Sequence, residues 1–322
     1  MDALSGLLAG PRAHGAFLLR TVMTPPWALR IQDRAALSVV AVVRGSAWIG
    51  GAGGPPVELR EGDVALARGP DPYVVADAPE SEPQIVIHPG QRCTTVDGRD
   101  LHDVMALGVR TWGNDPDGEH VLLTGTYETT TVVGRRLLGA LPPLVHVRRD
   151  AWRSPLVDLL AEEIVTDRPG QDVVLDRLLD LVAVHAVRAW FDRPDADPPR
   201  WYRAHGDPVV GRALQLMHHR PEHPWTLASL AAECGASRAT LARRFRELVG
   251  ETPMGYLTSW RLTLAADLLR EPGTTIGAVA ARVGYGSAFS LSTAFKRHFG
   301  VSPREHRRRA PAAGTAARRS AV

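Results

Sequence analysis

The chain has 322 residues, 44% hydrophobic and 23% charged, which excludes a mostly disordered protein and predicts two domains. No run approaches the roughly 20 apolar residues that cross a bilayer, and residues 1–20 lack a secretory pattern, so we expect a soluble, cytoplasmic protein without a membrane partner. The net charge of +3 hides an asymmetry, since residues 207–322 carry 17 Lys and Arg against 8 Asp and Glu. A basic C-terminal module with a polyanionic partner is therefore predicted.

The first part of the chain alternates short apolar runs with turns rich in glycine and proline. Runs of this length, spaced roughly 8–12 residues apart, predict an antiparallel barrel or sandwich. Further strands are expected at Val121–Leu123 and in the Thr-rich segment Thr126–Val133. The six main predicted strands are Leu37–Val43, Ala47–Ile49, Val57–Leu59, Val64–Ala67, Tyr73–Val75 and Ile85–Ile87.

Helical signals follow the strands. Ser154 before Pro155 predicts a helix start, and a longer helix is expected over Asp172–Phe191. These two helices either pack on the barrel or pair with a second subunit. The segment Arg193–Arg200 cannot continue a helix and predicts a domain boundary. The expected α+β division is a sheet domain at 1–150, a helical linker at 151–200, an all-α domain at 201–310 and a disordered tail at 311–322.

The C-terminal part contains an internal repeat. Thr226–Pro253 and Thr275–Pro303 share a Thr start, an alanine pair before a turn glycine, and then Phe, Gly and Pro at matching positions. Matching at a spacing of about 50 residues indicates a duplicated supersecondary unit. A structural helical bundle is the alternative interpretation of such a repeat.

Each repeat has the signals of a helix-turn-helix. Thr226 and Ser237 are predicted N-caps of the first pair of helices, and Gly235 is the predicted turn residue. Thr275 and Ser287 have the same roles in the second pair. A connecting helix is expected at Tyr256–Arg270. The outward residues of the second helices are Arg238, Ala239, Ala242, Arg243 and Arg246 in the first unit, and Ala288, Ser290, Thr293, Lys296 and Arg297 in the second.

A helix of this size fits the major groove of B-DNA, so double-stranded DNA is the predicted partner. Two such helices on a rigid connector are expected to enter successive major grooves, roughly 34 Å apart. The Arg-rich segment Arg304–Arg309 is predicted to hold phosphates and set the register.

The second repeat, with V-G-Y-x-S followed by A-F-K-R-x-F-G-V-S-P, is similar to the signature of the AraC/XylS family of bacterial transcription regulators. The resemblance covers Asp207–Arg309. Arg44–Val75 resembles the cupin-like sensor domain of many members, and Leu137–Val147 resembles its end in one subfamily. The resemblance implies sequence-specific transcription regulation, a small-molecule effector or a homodimer, RNA polymerase as a partner if the protein is an activator, and no cofactor.

The resemblance also implies which residues contact bases, and the chain departs from the family pattern at several of them. In the first unit the matching positions are Ala239, Ala242 and Arg243, which leaves Arg243 as the main hydrogen-bonding reader and the alanines for thymine methyl groups. In the second unit Thr293 replaces a common base-reading Arg, so readout there is weak or depends on Ser290 and Thr293. The predicted phosphate contacts or solvated charges are Arg238, Arg246, Lys296 and Arg297.

A metal-dependent cupin enzyme is one alternative for the N-terminal domain. Such a site needs at least three converging imidazole or carboxylate ligands. The expected close His pair is absent near Arg44–Val75, and His88, His102 and His120 are scattered, so each is expected on the surface. No metal ligand or catalytic residue is predicted.

A thiol sensor is another alternative, because Arg92 next to Cys93 would lower the pKa of the thiol. Cys234, at a helix end, is expected to be buried packing. The aromatic residues Trp48, Tyr73 and Trp112 are candidates for lining an effector pocket, although core packing is the commoner role of such side chains.

Overall fold

The computed structural model describes residues 17–51, 54–127 and 131–309, which form two units. The sheet unit contains the described residues up to 127 together with 141–196, and the helical unit contains 131–140 and 197–309. The predicted tail at 311–322 lies outside the described residues. Of the helices in the described part of the chain, none is long and apolar enough to cross a membrane.

The sheet unit is built from short strands. In chain order they are β1 (Phe17–Met23), β2 (Ala28–Ile31), β3 (Leu37–Arg44), β4 (Ser46–Gly51), β5 (Val57–Arg60), β6 (Val64–Arg68), β7 (Tyr73–Ala76), β8 (Ile85–His88), β9 (Arg92–Thr95), β10 (Ala106–Gly108), β11 (Thr111–Gly113), β12 (His120–Tyr127) and β13 (Leu144–Val147).

These strands form two sheets with most neighbours antiparallel. The seven-stranded sheet has the order β10-β11-β1-β12-β3-β6-β13, and the six-stranded sheet has the order β5-β4-β7-β2-β8-β9. The core lies between them, because Val40 and Leu122 of one sheet and Ile49 and Val75 of the other belong to one buried cluster. Burying such a side chain contributes about 1.5–3 kcal/mol. A two-sheet antiparallel domain, as the short runs predict, is confirmed.

The six main predicted strands are confirmed as β3 to β8, and the predicted strand Val121–Leu123 lies in β12. The prediction for Thr126–Val133 holds for its first two residues and is wrong from Thr131 onward. Strand β12 ends at Tyr127, and a helix, α1, runs over Val132–Leu138. The cause is local, since the Thr131 hydroxyl accepts the Gly134 N–H at 2.7 Å and caps this helix. A threonine-rich segment that favours strands therefore supplies an N-cap instead.

Three helices complete the sheet unit: α2 (Arg149–Trp152), α3 (Leu156–Ile164) and α4 (Gln171–Phe191). Both predicted helices are confirmed. In α3, Val157 is buried and Leu159 is exposed. Helix α3 begins after Pro155 rather than directly after Ser154, whose hydroxyl still accepts the Leu156 N–H at 3.4 Å.

The helical unit contains α1 and all later helices. These are α5 (Arg200–Ala204), α6 (Val210–His219), α7 (Leu227–Glu233), α8 (Arg238–Val249), α9 (Pro253–Leu268), α10 (Ile276–Arg282), α11 (Ala288–Phe299) and α12 (Pro303–Arg309).

Helix α9 connects the two helix-turn-helix units and is buried on more than one side. It corresponds to the connecting helix predicted at Tyr256–Arg270. The following side chains of α9 all have at most 1% of their surface exposed: Tyr256, Trp260, Leu262 and Ala266. The element inserted between β12 and β13 also packs on α9, where the Val132 N–H donates to the Asp267 carboxylate at 2.6 Å. Helix α1 is thus a part of the helical unit contributed from within the sheet region of the sequence.

Candidate nucleic-acid interface

Four hydroxyl side chains set the helix starts of the interface. Thr226 accepts the Ser229 N–H, and Ser237 accepts the Thr240 N–H at 3.1 Å. The equivalent residues Thr275 and Ser287 cap α10 and α11 in the same way. All four predicted caps are confirmed, and each such cap stabilises its helix by about 1 kcal/mol.

The turns between the helices depend on two glycines. Gly235 has φ +63°, and Gly284 has φ +78°. At Gly284 a Cβ would lie 2.7 Å from the Glu222 carbonyl oxygen, so both the conformation and the space exclude a side chain there. These turns hold α8 and α11 against the preceding helices.

Helices α8 and α11 are equivalent along their length. Leu241 and Phe245 are fully buried in α8, as are Leu291 and Phe295 in α11, and the burial pattern of 241–250 repeats at 291–300. Leu248, by contrast, is exposed near the end of α8. Each outward position of one helix therefore has a counterpart 50 residues away in the other.

On α8, Arg243 is exposed and paired within its own helix. Its Nη1 donates to both carboxylate oxygens of Glu247 at 3.0 Å. An exposed i,i+4 pair of this kind is worth about 0.3–0.5 kcal/mol. Because a bidentate arginine–guanine contact is worth about 1–3 kcal/mol, a base can displace Glu247. The i,i+4 spacing would have revealed this pairing in the sequence.

Several other cations face solvent. Arg238, Arg246, Lys296 and Arg297 are exposed, and in the part of the chain that the structure describes they form no ion pair. Arg244, by contrast, forms an ion pair with the Asp207 carboxylate, which joins α8 to the segment before α6. The exposed cations are available for a polyanion.

The hydroxyl groups of α11 are less available than the sequence suggests. The Ser290 hydroxyl donates to the Ser287 carbonyl at 2.9 Å and accepts the Ser287 N–H, which completes a capping box. The Ser292 hydroxyl donates to the Ala288 carbonyl at 2.7 Å. Thr293 and Phe289 are exposed on the same helix.

The Arg-rich C-terminal segment forms helix α12, and part of it is structural. Arg307 donates to the Leu269 carbonyl at 2.9 Å and to the Thr274 carbonyl at 2.6 Å, so its guanidinium holds the end of α9. Arg304 and Arg308 are exposed. The expectation that the whole of Arg304–Arg309 holds phosphates is therefore too broad.

Of the three aromatic candidates for an effector pocket, Tyr73 alone lines the cavity described here. This cavity of the sheet unit has a volume of about 280 Å³, with Ile49, Val57 and Leu144 in its wall. Trp112 is buried in the core. Trp48 lies opposite Ala76 in the strand next to Ile49, and because successive strand residues point to opposite faces, it is on the face away from the core that contains Ile49. Burial raises the pKa of the Tyr73 phenol, which stays protonated at physiological pH.

The described residues contain no group of three or more His, Cys, Asp or Glu side chains that could hold a metal ion. His88 bonds Gln32 and Thr94, and His120 bonds the Ser46 carbonyl at 2.6 Å. These two histidines are half-buried rather than on the surface as expected, and His102 is exposed.

The thiol interpretation is wrong for Cys93. Its side chain is 5% exposed in the core, where burial and the Asp100 carboxylate raise the pKa of the thiol to about 11. The expected effect of Arg92 is absent because Arg92 is exposed and Cys93 faces the core. Cys234 is half-buried, and burial raises its pKa as well.

Comparisons with known proteins cover both units. A family model described as Cupin matches residues 2–192, and one described as Helix-turn-helix domain matches residues 230–309. A putative AraC-like transcription regulator from Streptomyces lividans is 33% identical over 313 residues, which cover 96% of this chain and 98% of that protein. The transcriptional regulator AlkR from Acinetobacter baylyi is 30% identical, with coverage of 95% and 99%.

Among solved structures, the DNA-binding domain of AdpA in complex with a target DNA is 32% identical, covers 32% of this chain and 92% of that chain, and has a TM-score of 0.30. The relatives with near-complete coverage are transcription regulators by name, and the helix-turn-helix match includes both α8 and α11. The chain therefore belongs to the AraC family of DNA-binding transcription regulators, with an N-terminal cupin domain and a C-terminal helix-turn-helix domain.

Proposed function

We propose that this regulator selects its target sequence by inserting α8 and α11 into successive major grooves on one face of the duplex. The observation that carries the proposal is the equivalence of the two helices, which bury the same positions and expose the same positions 50 residues apart. Their centres are expected roughly 34 Å apart, one turn of B-DNA.

Arg243 is the proposed hydrogen-bonding reader of the first unit. Its exposure, and the low value of its pairing with Glu247, support an exchange of the carboxylate for a guanine edge. Ala239 and Ala242 are proposed to contact thymine methyl groups. Because the Ser290 hydroxyl is occupied by the cap, the proposed polar contact of the second unit is Thr293.

The proposed phosphate contacts are the exposed cations that have no ion pair within the described residues. They fix the position of the protein on the duplex and carry no sequence information. These contacts are Arg238, Arg246, Lys296 and Arg297.

The test is a selection of duplexes from a randomised pool with the full-length protein, followed by affinity measurements on variants. Arg243→Ala is expected to lose about 1–3 kcal/mol on the selected duplex and to relax the preference at one base pair. Arg297→Ala is expected to weaken selected and random duplexes alike and to reduce the salt dependence by about one counterion.

Arg148→Ala removes an exposed arginine from the sheet unit and serves as the matched control, with no expected change. Equal losses of Arg243→Ala on selected and random duplexes would show that Arg243 contacts phosphate. A pool from which no duplex is enriched would contradict the groove-insertion proposal as a whole.

We also propose that a small-molecule effector binds in the 280 Å³ cavity of the sheet unit. Its wall is mostly apolar and includes the ring of Tyr73 together with the charged residues Arg68 and Asp71. Apolar walls with a few placed polar groups are typical of ligand sites. A compact, largely apolar molecule with one hydrogen-bonding group fits this chemistry.

A homodimer formed through α3 and α4 is a further proposal. Leu159, Val173, Val174 and Leu181 are exposed apolar residues on these helices, and a second copy of the chain would cover them. Dimerisation would raise the affinity for paired sites through effective concentration. RNA polymerase is the proposed partner if the protein activates transcription.

The remaining proposals follow from DNA binding. Cytoplasmic localisation is proposed because bacterial chromosomal DNA is there, and no enzymatic activity is proposed because the near-full-length relatives are transcription regulators by name. The proposed domains are a cupin domain at 1–150, from which residues 131–140 join the helical unit, a helical segment at 151–200 that packs in the sheet unit up to residue 196, and a DNA-binding domain at 201–310.

A further inference from the structure

Phe289 is unusually exposed for a phenylalanine. With 81% of its surface accessible, it is the most exposed large hydrophobic side chain among the described residues, whereas the other five phenylalanines are buried or half-buried. Isolated exposed apolar residues are common on protein surfaces, so exposure alone does not indicate a role. The position of Phe289 on α11 supplies the second observation.

Phe289 lies in the first turn of α11, directly after the Ser287 N-cap and Ala288. Residues in the N-terminal part of a recognition helix are those that contact base edges. Phe289 is also four residues before Thr293 and seven before Lys296, a spacing that aligns the three on one helix face. Its counterpart in α8 is Ala239, an outward position of the first unit.

The neighbouring polar groups in this turn are already bonded. Ser290 is engaged with the Ser287 backbone, and Ser292 donates to the Ala288 carbonyl. The first turn of α11 therefore offers DNA an aromatic ring rather than a hydroxyl group. In the major groove, the apolar group on a base edge is the C5-methyl of thymine.

We propose that Phe289 is a specificity-determining residue that packs against the C5-methyl group of a pyrimidine in the major groove. The proposal rests on the proposed insertion of α11 and goes beyond it by assigning the ligand chemistry of that helix. The two units would then recognise bases differently. Helix α8 would recognise a base through hydrogen bonds from Arg243, and α11 would recognise a methyl group through contact with Phe289. Since 5-methylcytosine carries the same methyl group, it is expected to substitute in part for thymine.

The test uses the full-length protein and the duplex most enriched from a randomised pool. Each thymine facing the second unit is replaced in turn by deoxyuridine, which removes the methyl group and keeps every hydrogen-bonding group. For the wild type, one such replacement is expected to weaken binding about fourfold, the value of burying one methyl-sized group. For Phe289→Ala, the same replacement is expected to have no effect.

Two further variants serve as controls. Phe289→Leu keeps an apolar side chain and is expected to keep most of the methyl dependence. Val104→Ala shortens another exposed apolar residue, in the sheet unit, and is expected to bind like the wild type. An unchanged melting temperature for Phe289→Ala shows that the fold is intact, since no packing is lost at an exposed site.

The outcomes separate this proposal from the one on which it rests. If no duplex is enriched, groove insertion fails first. If a duplex is enriched but deoxyuridine affects the wild type and Phe289→Ala equally, or no thymine faces the second unit, the methyl contact is overturned. Loss of transcription activation by Phe289→Ala with unchanged DNA affinity would assign Phe289 to a protein partner and would also overturn it.

Discussion

At the scale of single residues, the two helix-turn-helix units have the same interior residues and different outward residues. Leu241 and Phe245 have identical counterparts in type and burial at Leu291 and Phe295. Arg243, however, corresponds to Thr293. Packing restricts interior residues to a narrow set of shapes, whereas an outward residue is restricted by its ligand. The duplicated units are therefore expected to recognise different sequences.

Cys93 gives a prediction in which pH decides the outcome. Burial raises the pKa of its thiol to about 11, and the thiolate is the reactive form, so alkylation by iodoacetamide at pH 7 is expected to be slow in the folded protein. The rate is expected to rise with pH toward 11, whereas in the unfolded chain it reaches half its maximum near pH ~8.5. Mass spectrometry of alkylated peptides measures both.

Cys234 is the internal comparison, because it is half-buried and more accessible than Cys93. DNA affinity is expected to be unchanged by peroxide in the wild type and in Cys93→Ser. Faster native labelling of Cys93 than of Cys234 at pH 7 would contradict the burial argument.

The sequence contained the signals for the four caps because a cap depends on neighbours within three residues. The burial of Cys93 and the pKa of its thiol could not be predicted from the sequence. Both depend on the pairing of β9 with β8, where Cys93 lies opposite Ile87. Arg92 is adjacent in sequence but faces the other side of the strand. Local chemistry was predictable, and the environment of a strand residue was not.

At the scale of elements, α4 has two different sides. Leu175, Leu179 and Val182 are buried in the sheet unit, whereas Val174 and Leu181, seven residues apart, are exposed on one face. Exposed apolar residues at this spacing are typical of a helix that has a partner. The proposed partner is a second copy of the chain.

Leu181→Glu is therefore expected to convert a dimer into a monomer. Burying one leucine contributes about 1.5–3 kcal/mol, and a symmetric interface contains the residue twice. Sedimentation equilibrium of the full-length protein at micromolar concentration gives the oligomeric state. Val96→Glu places the same charge at another exposed apolar site and is expected to leave the dimer intact. A monomeric wild type would refute the interface.

Element prediction succeeded where a run was bounded by clear turn residues, as for β3 to β8. It failed for β1, β2 and β13, whose pairing partners lie far along the chain, such as Leu144 opposite Ala67. Helix α1 was missed because seven residues after a threonine tract carry little periodicity.

At the scale of the whole molecule, the proposed effector cavity and the proposed DNA interface are in different units. Effector control therefore predicts a variant that loses the response to the effector and keeps the affinity for DNA. Tyr73→Ala removes an aromatic ring from the cavity wall. Purified Tyr73→Ala is expected to bind the selected duplex with wild-type affinity, while a reporter driven by that duplex in the native host loses its response to growth conditions.

Trp48→Ala is the matched control, since it truncates an aromatic residue of the same unit that does not line the cavity. Its reporter response is expected to match the wild type. The cavity would be excluded as the effector site if the Tyr73→Ala reporter responded like the wild type under growth conditions that change reporter expression.

Helix α1 has a consequence for the way this protein can be divided. The chain leaves the sheet unit after β12, contributes α1 to the helical unit, and returns to form β13 before it crosses again near Ala196. A fragment that starts at the junction Arg193–Arg200 therefore lacks α1. In such a fragment the Asp267 carboxylate loses the hydrogen bond from the Val132 N–H, and α9 loses a helix that packs against it. A chimera made by joining another regulator at this junction would have the same defect. It would replace the helical unit but keep α1, which packs on α9 of the original unit.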